Sequence, residues 1–212
     1  RDAGRVKAEI AERVRKTALA ILDHYGIGNL RWIGTSMGGL IGVTLAAGAL
    51  KGRITHLVIN DVGPDIPAAG TGRIADYVGN PPVYDTVAEM ETWLRRNYAP
   101  FGKNTDAFWR RMVDTSVRRN DAGRVTVHYD PAIVSQFTHH KQDLDVWDAY
   151  DQIEAKTLLI RGEASDVLPV SIAEEMTRRG PQPQLVVVPD CGHAPTLASP
   201  HEVQLLREFL TD

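Results

Sequence analysis

A serine stands between two glycines early in the chain, in the segment Gly34-Thr35-Ser36-Met37-Gly38. The pattern G-x-S-x-G is typical of a nucleophile elbow, in which a sharp turn between a strand and a helix exposes the serine hydroxyl. The flanking residues fit this context, because an apolar run at 30–33 precedes the motif and small or apolar residues at 39–47 follow it. Ser36 is therefore a candidate nucleophile.

A serine hydroxyl needs a base to take its proton, and His193 is the histidine best placed to be that base. It lies in Cys191-Gly192-His193-Ala194-Pro195, just after a predicted strand at 185–188, so a loop can carry its ring back over the sheet edge. The other histidines are in less suitable places, namely His24 in the last turn of a helix, His56 inside a strand, and His139 and His140 in a polar stretch.

The histidine in turn needs an acid to orient it, and several carboxylates are available. Asp166 follows the predicted strand at 157–161, and we favour it because its loop is long enough to turn back toward His193. Glu163 is closer to the strand end and has less length to reach across. Asp61 or Asp65, after the strand at 54–60, is a further alternative, because some triads take their acid from that neighbouring strand.

Two other groups of residues could imitate reactive sites. His139, His140 and Asp143 are metal-ligand types, but adjacent histidines point in different directions in any regular element, and a surface loop explains them better. Cys191 has no base of its own besides His193, and we interpret it as a packing residue.

The elements that must position these residues follow a β/α order. An amphipathic helix with apolar residues from Val6 to Leu22 ends near Tyr25, and the strand, elbow and helix are followed by the strand at 54–60. Near-continuous apolar runs predict parallel strands covered on both faces. Ser171 and Glu174 suggest a capping box for the next helix, and a last helix at 201–210 would place Val203, Leu206 and Leu210 on one face.

The segment 64–147 interrupts this order and is predicted to be a lid inserted into a core formed by 1–63 and 148–212. It contains short amphipathic pieces at 87–98 and 107–117, and paired arginines that we interpret as a solvated helix face. Three of its apolar residues could line an acyl pocket or form the core of the lid: Trp109, Met112 and Phe137.

Composition excludes several classes of protein. The chain has 212 residues and a formal charge of −3, which gives no field suited to nucleic acid, and it has no apolar run long enough to span a bilayer. Cys191 is the only cysteine, so no internal disulfide can form, and a cytoplasmic location is the simplest expectation. The sequence does not fix the oligomeric state, and a homodimer is compatible with it.

Taken together, the elbow and the later Asp166 and His193, in that order, resemble the α/β-hydrolase superfamily over nearly the whole chain. The Gly-x-Ser-Met-Gly-Gly elbow is similar to that of a lid-bearing bacterial branch, which includes esterases, enol-lactonases and meta-cleavage product hydrolases. The resemblance implies Ser36 as nucleophile, Asp166 as acid, His193 as base and the Met37 N–H as one donor of the oxyanion hole. It also implies no metal and no organic cofactor.

The function expected from this resemblance is hydrolysis of a small carboxylic ester or lactone through an acyl-enzyme. Hydrolysis of a carbon–carbon bond, perhydrolysis of the haloperoxidase type, and ligand binding without turnover are the alternatives. Members of the superfamily place further strands and a second oxyanion donor before the elbow. We therefore expect a segment of the native protein upstream of Arg1 that pairs with the strand at 30–33.

Overall fold

The computed structural model describes residues 3–134 and 145–212. Phe137, His139, His140 and Asp143 lie outside the described residues, so the expectations for them are not tested.

A four-stranded parallel sheet forms the centre of the fold. In the order in which they lie side by side, its strands are β1 (Leu30–Thr35), β2 (Ile54–Asn60), β6 (Lys156–Gly162) and β7 (Gln184–Val188). The helices around it are α1 (Ala3–His24), α2 (Met37–Ala47), α6 (Trp147–Tyr150), α7 (Val170–Arg178) and α8 (Pro200–Thr211). The predicted parallel sheet, the elbow helix and the flanking helices are confirmed.

The two faces of this sheet pack into separate apolar clusters. Leu57, Ile59 and Leu159 belong to a cluster that includes the apolar side of α2, whereas Val58 and Leu158 face Phe209 of α8. Successive residues of a strand point to opposite faces, so both must be apolar where both are covered. This explains why the strands read as continuous apolar runs.

The segment between β2 and β6 has a sheet of its own. It contains α3 (Ala68–Val78), α4 (Val87–Asn97) and α5 (Asp106–Ser116), and a three-stranded antiparallel sheet of β3 (Val83–Tyr84), β5 (Val125–Val127) and β4 (Val117–Arg119). Two short 3-10 helices, Ala99–Phe101 and Pro131–Val134, complete it. We call this segment the lid; that it covers the candidate active site stays a prediction.

Two details of the predicted helices are wrong. Helix α7 begins at Val170 after Pro169, with no side-chain cap, so Ser171 and Glu174 form no capping box. The capping box of the last helix is instead made by Ser199 and Glu202. On that helix Val203 is 43% exposed, so its predicted place on the apolar face is wrong, whereas Leu206 and Leu210 pack with the buried Phe209 against the sheet as predicted.

The outer edge of β1 has no strand partner among the described residues. Ile33 is 46% exposed there, and a groove of about 410 Å³ lies between Trp32 and the apolar side of α1, which includes Val14, Ala18 and Ile21. That a segment upstream of Arg1 pairs with this edge of β1 stays a prediction.

Candidate active site

Ser36 sits in a strained turn between β1 and α2. Its backbone has φ 53° and ψ −120°, a conformation that costs a non-glycine residue about 1–3 kcal/mol. The turn is close enough that a Cβ on Gly34 would lie 2.2 Å from the Gly38 carbonyl oxygen, so position 34 must be glycine. The Ser36 N–H donates to the Asn60 carbonyl oxygen at 2.9 Å, which fixes the turn to β2.

His193 lies against the serine as the sequence predicted. The His193 Nε2 is 3.0 Å from the Ser36 Oγ, within reach for proton transfer, and the imidazole is 7% exposed. Its loop, after β7, packs closely on the end of β6, because a Cβ on Gly162 would meet the Gly192 carbonyl oxygen at 2.2 Å. The glycine at 162 therefore lets the histidine loop come within range of Ser36.

The acid beside the histidine is Asp61. Its Oδ2 is 2.9 Å from the His193 Nδ1, and the residue is fully buried directly after β2, with φ 58°. With the proton on Nδ1, His193 donates to Asp61, and its Nε2 is left to accept from the Ser36 hydroxyl; this tautomer follows from the hydrogen-bond network.

Two further donors hold the Asp61 carboxylate. The Gly162 N–H donates to Oδ1 at 2.9 Å, and the Ser165 hydroxyl donates to Oδ2 at 2.8 Å. The Ser165 Oγ also accepts from the backbone N–H groups of Val167 and Leu168, so its single proton is directed at Asp61. The three hydrogen bonds to its two oxygens fix the orientation of this buried side chain beside His193.

The expectation that Asp166 is the acid is wrong for this structure. Asp166 forms a two-point salt bridge with Arg73 of α3, in which the Arg73 Nε donates to Oδ2 at 2.6 Å and the Arg73 Nη2 donates to Oδ1 at 2.9 Å. The Asp166 side chain is 41% exposed. The Arg73 guanidinium holds the pKa of the Asp166 carboxyl below its usual value. Glu163 accepts from the Asp190 N–H, and Asp65 is exposed, so neither takes the place of Asp61.

Asn60 is a structural member of the site that sequence reasoning missed. Its Nδ2 donates to the Thr35 Oγ1 at 3.0 Å and to the Pro195 carbonyl oxygen at 2.9 Å. It thereby ties together the end of β1, the end of β2 and the histidine loop. An asparagine at the end of an apolar strand, followed at once by an aspartate, was the signal that could have found this position.

The remaining predicted site residues have different surroundings. Met37 is the first residue of α2, and backbone N–H groups at the start of a helix lack intrahelical acceptors. That the Met37 N–H donates to the oxyanion stays a prediction. Trp109 is 5% exposed, its ring beneath the Arg95 guanidinium, and Met112 packs in the lid core with Met90. This packing agrees with the lid-core alternative.

Cys191 is a buried thiol near the site. It is 6% exposed, and burial raises its pKa to about 11, which suppresses the reactive thiolate. In residues 3–134 and 145–212, no group of three or more His, Cys, Asp or Glu side chains is arranged to hold a metal ion. Nor does any helix in those ranges have the length and apolar character to cross a membrane.

The sheet and the site define a class of α/β protein in which a serine, a histidine and an aspartate meet at the carboxyl ends of parallel strands. The model of the alpha/beta hydrolase family matches residues 4–203. The chain therefore belongs to the alpha/beta hydrolase family.

Individual relatives agree with this assignment. The chain is 33% identical, over 202 residues, to a 3-hydroxybutyrate-oligomer hydrolase of Cupriavidus necator, covering 91% of this chain and 69% of that protein. A solved alpha/beta hydrolase of Novosphingobium aromaticivorans is 33% identical, with a TM-score of 0.81, and the match covers 92% of this chain and 69% of that one. A Rickettsia typhi structure has a TM-score of 0.87 at 30% identity, covering 95% and 69% of the two chains.

Proposed function

We propose that the protein is a serine hydrolase that cleaves carboxylic esters through an acyl-enzyme. The observation that carries the proposal is the hydrogen-bonded series Ser36–His193–Asp61, with 3.0 Å and 2.9 Å between the paired atoms. This is the arrangement that activates a serine hydroxyl toward a carbonyl carbon.

Each residue has a distinct part in the proposed reaction. The Ser36 Oγ attacks the ester carbonyl while the His193 Nε2 takes its proton, and Asp61 stabilises the imidazolium that forms. The Met37 N–H donates to the oxyanion. His193 then protonates the leaving alkoxide, and a water molecule, activated by the same base, releases the acid and regenerates Ser36.

The substrate class we propose is a short ester of a hydroxy acid. The support is the name of the Cupriavidus necator relative, which is 33% identical to this chain over 202 residues. Linear oligomers of 3-hydroxybutyrate contain carboxylic ester bonds, which the proposed chemistry can cleave.

Ester turnover by the purified protein tests this proposal. Ser36→Ala is expected to lower kcat by about 10⁴-fold or more, because the nucleophile is lost. Ser171→Ala is the matched control, since Ser171 is an exposed serine on α7. The substrates are a 3-hydroxybutyrate dimer, a short aryl ester and a vinylogous diketone. Turnover of the esters that persists in Ser36→Ala, or turnover of the diketone alone, would contradict the proposal.

A further inference from the structure

A second cavity, of about 470 Å³, lies within the lid. It is formed by α3, the turn after it, the end of α4 and the 3-10 helix that follows. We call it the lid cavity, and its lining includes Arg73, Asp76, Asn80, Trp93, Arg96 and Pro100.

The lid cavity adjoins the loops that build the candidate active site. The Pro100 carbonyl oxygen accepts from the Gly192 N–H at 2.7 Å, and Gly192 is the neighbour of His193. On another side, Arg73 is bound to Asp166 in the loop after β6. Two walls of the lid cavity are therefore fixed to the loops after β6 and β7, whose residues surround Asp61 and His193.

The charges in the lid cavity are not equally available. Arg73 is occupied by Asp166, and the neighbouring Arg95, on α4, is paired with Glu91 and Asp106. Arg96, by contrast, is exposed and makes no hydrogen bond or ion pair with any part of the chain that the structure describes. Asp76 on the same lining is likewise unpaired there. The lid cavity thus contains one available guanidinium and one available carboxylate.

This combination has a defined preference among ligands. A guanidinium binds a carboxylate through two parallel hydrogen bonds. Asp76 opposes groups that carry several negative charges, so a monoanion fits better than a polyanion. Trp93 and Pro100 supply apolar surface for the carbon chain attached to the charged group.

We propose that the lid cavity is a subsite for the terminal carboxylate of an acidic ester, with Arg96 as the group that binds it. The inference rests on the proposed function, since it names the part of the ester substrate that the lid recognises. Asp76 weakens the same interaction and limits the subsite to a single negative charge.

Binding can be measured without turnover. In a Ser36→Ala background, titration calorimetry with the linear 3-hydroxybutyrate dimer is expected to give a Kd that rises about tenfold on Arg96→Gln, because a charge-assisted pair is lost. Asp76→Asn is expected to lower the Kd. Arg110→Gln removes an exposed charge on α5 outside the lid cavity and is expected to leave the Kd unchanged.

The ratio of kcat/KM for the dimer to kcat/KM for its methyl ester gives a second readout. Arg96→Gln is expected to lower this ratio about tenfold, since the methyl ester has no carboxylate to lose. Equal weakening by Arg96→Gln and Arg110→Gln, a higher Kd in Asp76→Asn, or no binding of the dimer would overturn the subsite. A different result would overturn only the proposed hydrolysis. In that case calorimetry shows binding of the dimer that depends on Arg96, but the parent protein, which retains Ser36, does not hydrolyse it.

Discussion

Replacing Asp61 by asparagine tests which of two carboxylates, Asp61 or Asp166, is the acid that orients His193. Asp61→Asn keeps the size of the side chain but removes the charge that accepts from the His193 Nδ1. Asp166→Asn is the matched change at the other carboxylate, which is bound to Arg73 instead.

The expected magnitude follows from the three donors around Asp61. An asparagine amide can accept on one atom only, so at least one of the donors from Gly162, Ser165 and His193 faces an NH₂ group. If His193 turns to the other tautomer, its Nε2 carries a proton and cannot accept from Ser36. The loss in kcat expected for the wrong tautomer is about 10⁴-fold, or about 5.4 kcal/mol of transition-state stabilisation.

The assay is hydrolysis of a short aryl ester, with thermal unfolding of each variant measured in parallel. Asp61→Asn also leaves buried donors without acceptors, which costs about 1–3 kcal/mol of folding stability, so circular dichroism must show that the variant is folded at the assay temperature. Asp166→Asn is expected to stay within about threefold of the parent rate. A folded Asp61→Asn with near-parental activity, or an Asp166→Asn reduced a hundredfold, would refute the assignment of the acid.

Three further predictions concern the same region. The first moves the carboxylate from position 61 to position 165: the double variant Asp61→Ser/Ser165→Asp is expected to have a kcat at least about tenfold above that of Asp61→Ser alone, because the Ser165 Oγ lies 2.8 Å from the Asp61 carboxylate. Equal kcat values in the two variants would contradict this expectation. With a pKa of about 11, only about one Cys191 thiol in a thousand is ionised at pH 8, so slow alkylation by iodoacetamide is expected in the folded protein, and fast alkylation would count against it. Arg73 lowers the pKa of the Asp166 carboxyl, so the stability lost in Asp166→Asn, at most about 1 kcal/mol for this exposed pair, is expected at pH 6 and should decrease as the pH falls below 3.8, the ordinary aspartate value. Denaturation at pH 6 and at successively lower pH measures this loss, and a loss that does not change with pH would contradict the reasoning.

The elements of the core could be predicted from the sequence because their patterns are local. Apolar runs marked β2, β6 and β7, and the glycines around Ser36 marked a turn that only a strand and a helix can flank. His193 followed from its place after the last strand. These inferences need only periodicity and chain order.

The acid could not be predicted in the same way, because its choice depends on sheet order. The sequence favoured the longer loop of Asp166 for its reach. In the structure, β1 and β2 are neighbours and Thr35 pairs with Asn60, so the next residues, Ser36 and Asp61, emerge side by side. No reach is needed, and the loop of Asp166 turns toward Arg73 on the lid.

The orientation of the lid arginines was equally hidden. Arg95 and Arg96 look alike in the sequence, yet one is paired with Glu91 and Asp106 and the other borders the lid cavity. Helical spacing indicates the pairing of Arg95 with Glu91, four residues earlier on α4. It does not indicate Asp106, which comes from α5, or the lid cavity beside Arg96, which depends on how α3 and α4 lie together.

Trapping the acyl-enzyme is the most direct measurement of the central claim that Ser36 is the nucleophile of a serine hydrolase. The protein is mixed with a short aryl ester, quenched in acid within the first turnovers, digested and analysed by mass spectrometry. The predicted result is an acyl group on the peptide containing Ser36, absent from Ser36→Ala and accompanied by a burst of alcohol release. Ester turnover with the acyl group on Cys191, or with no acylated peptide and no burst, would contradict it.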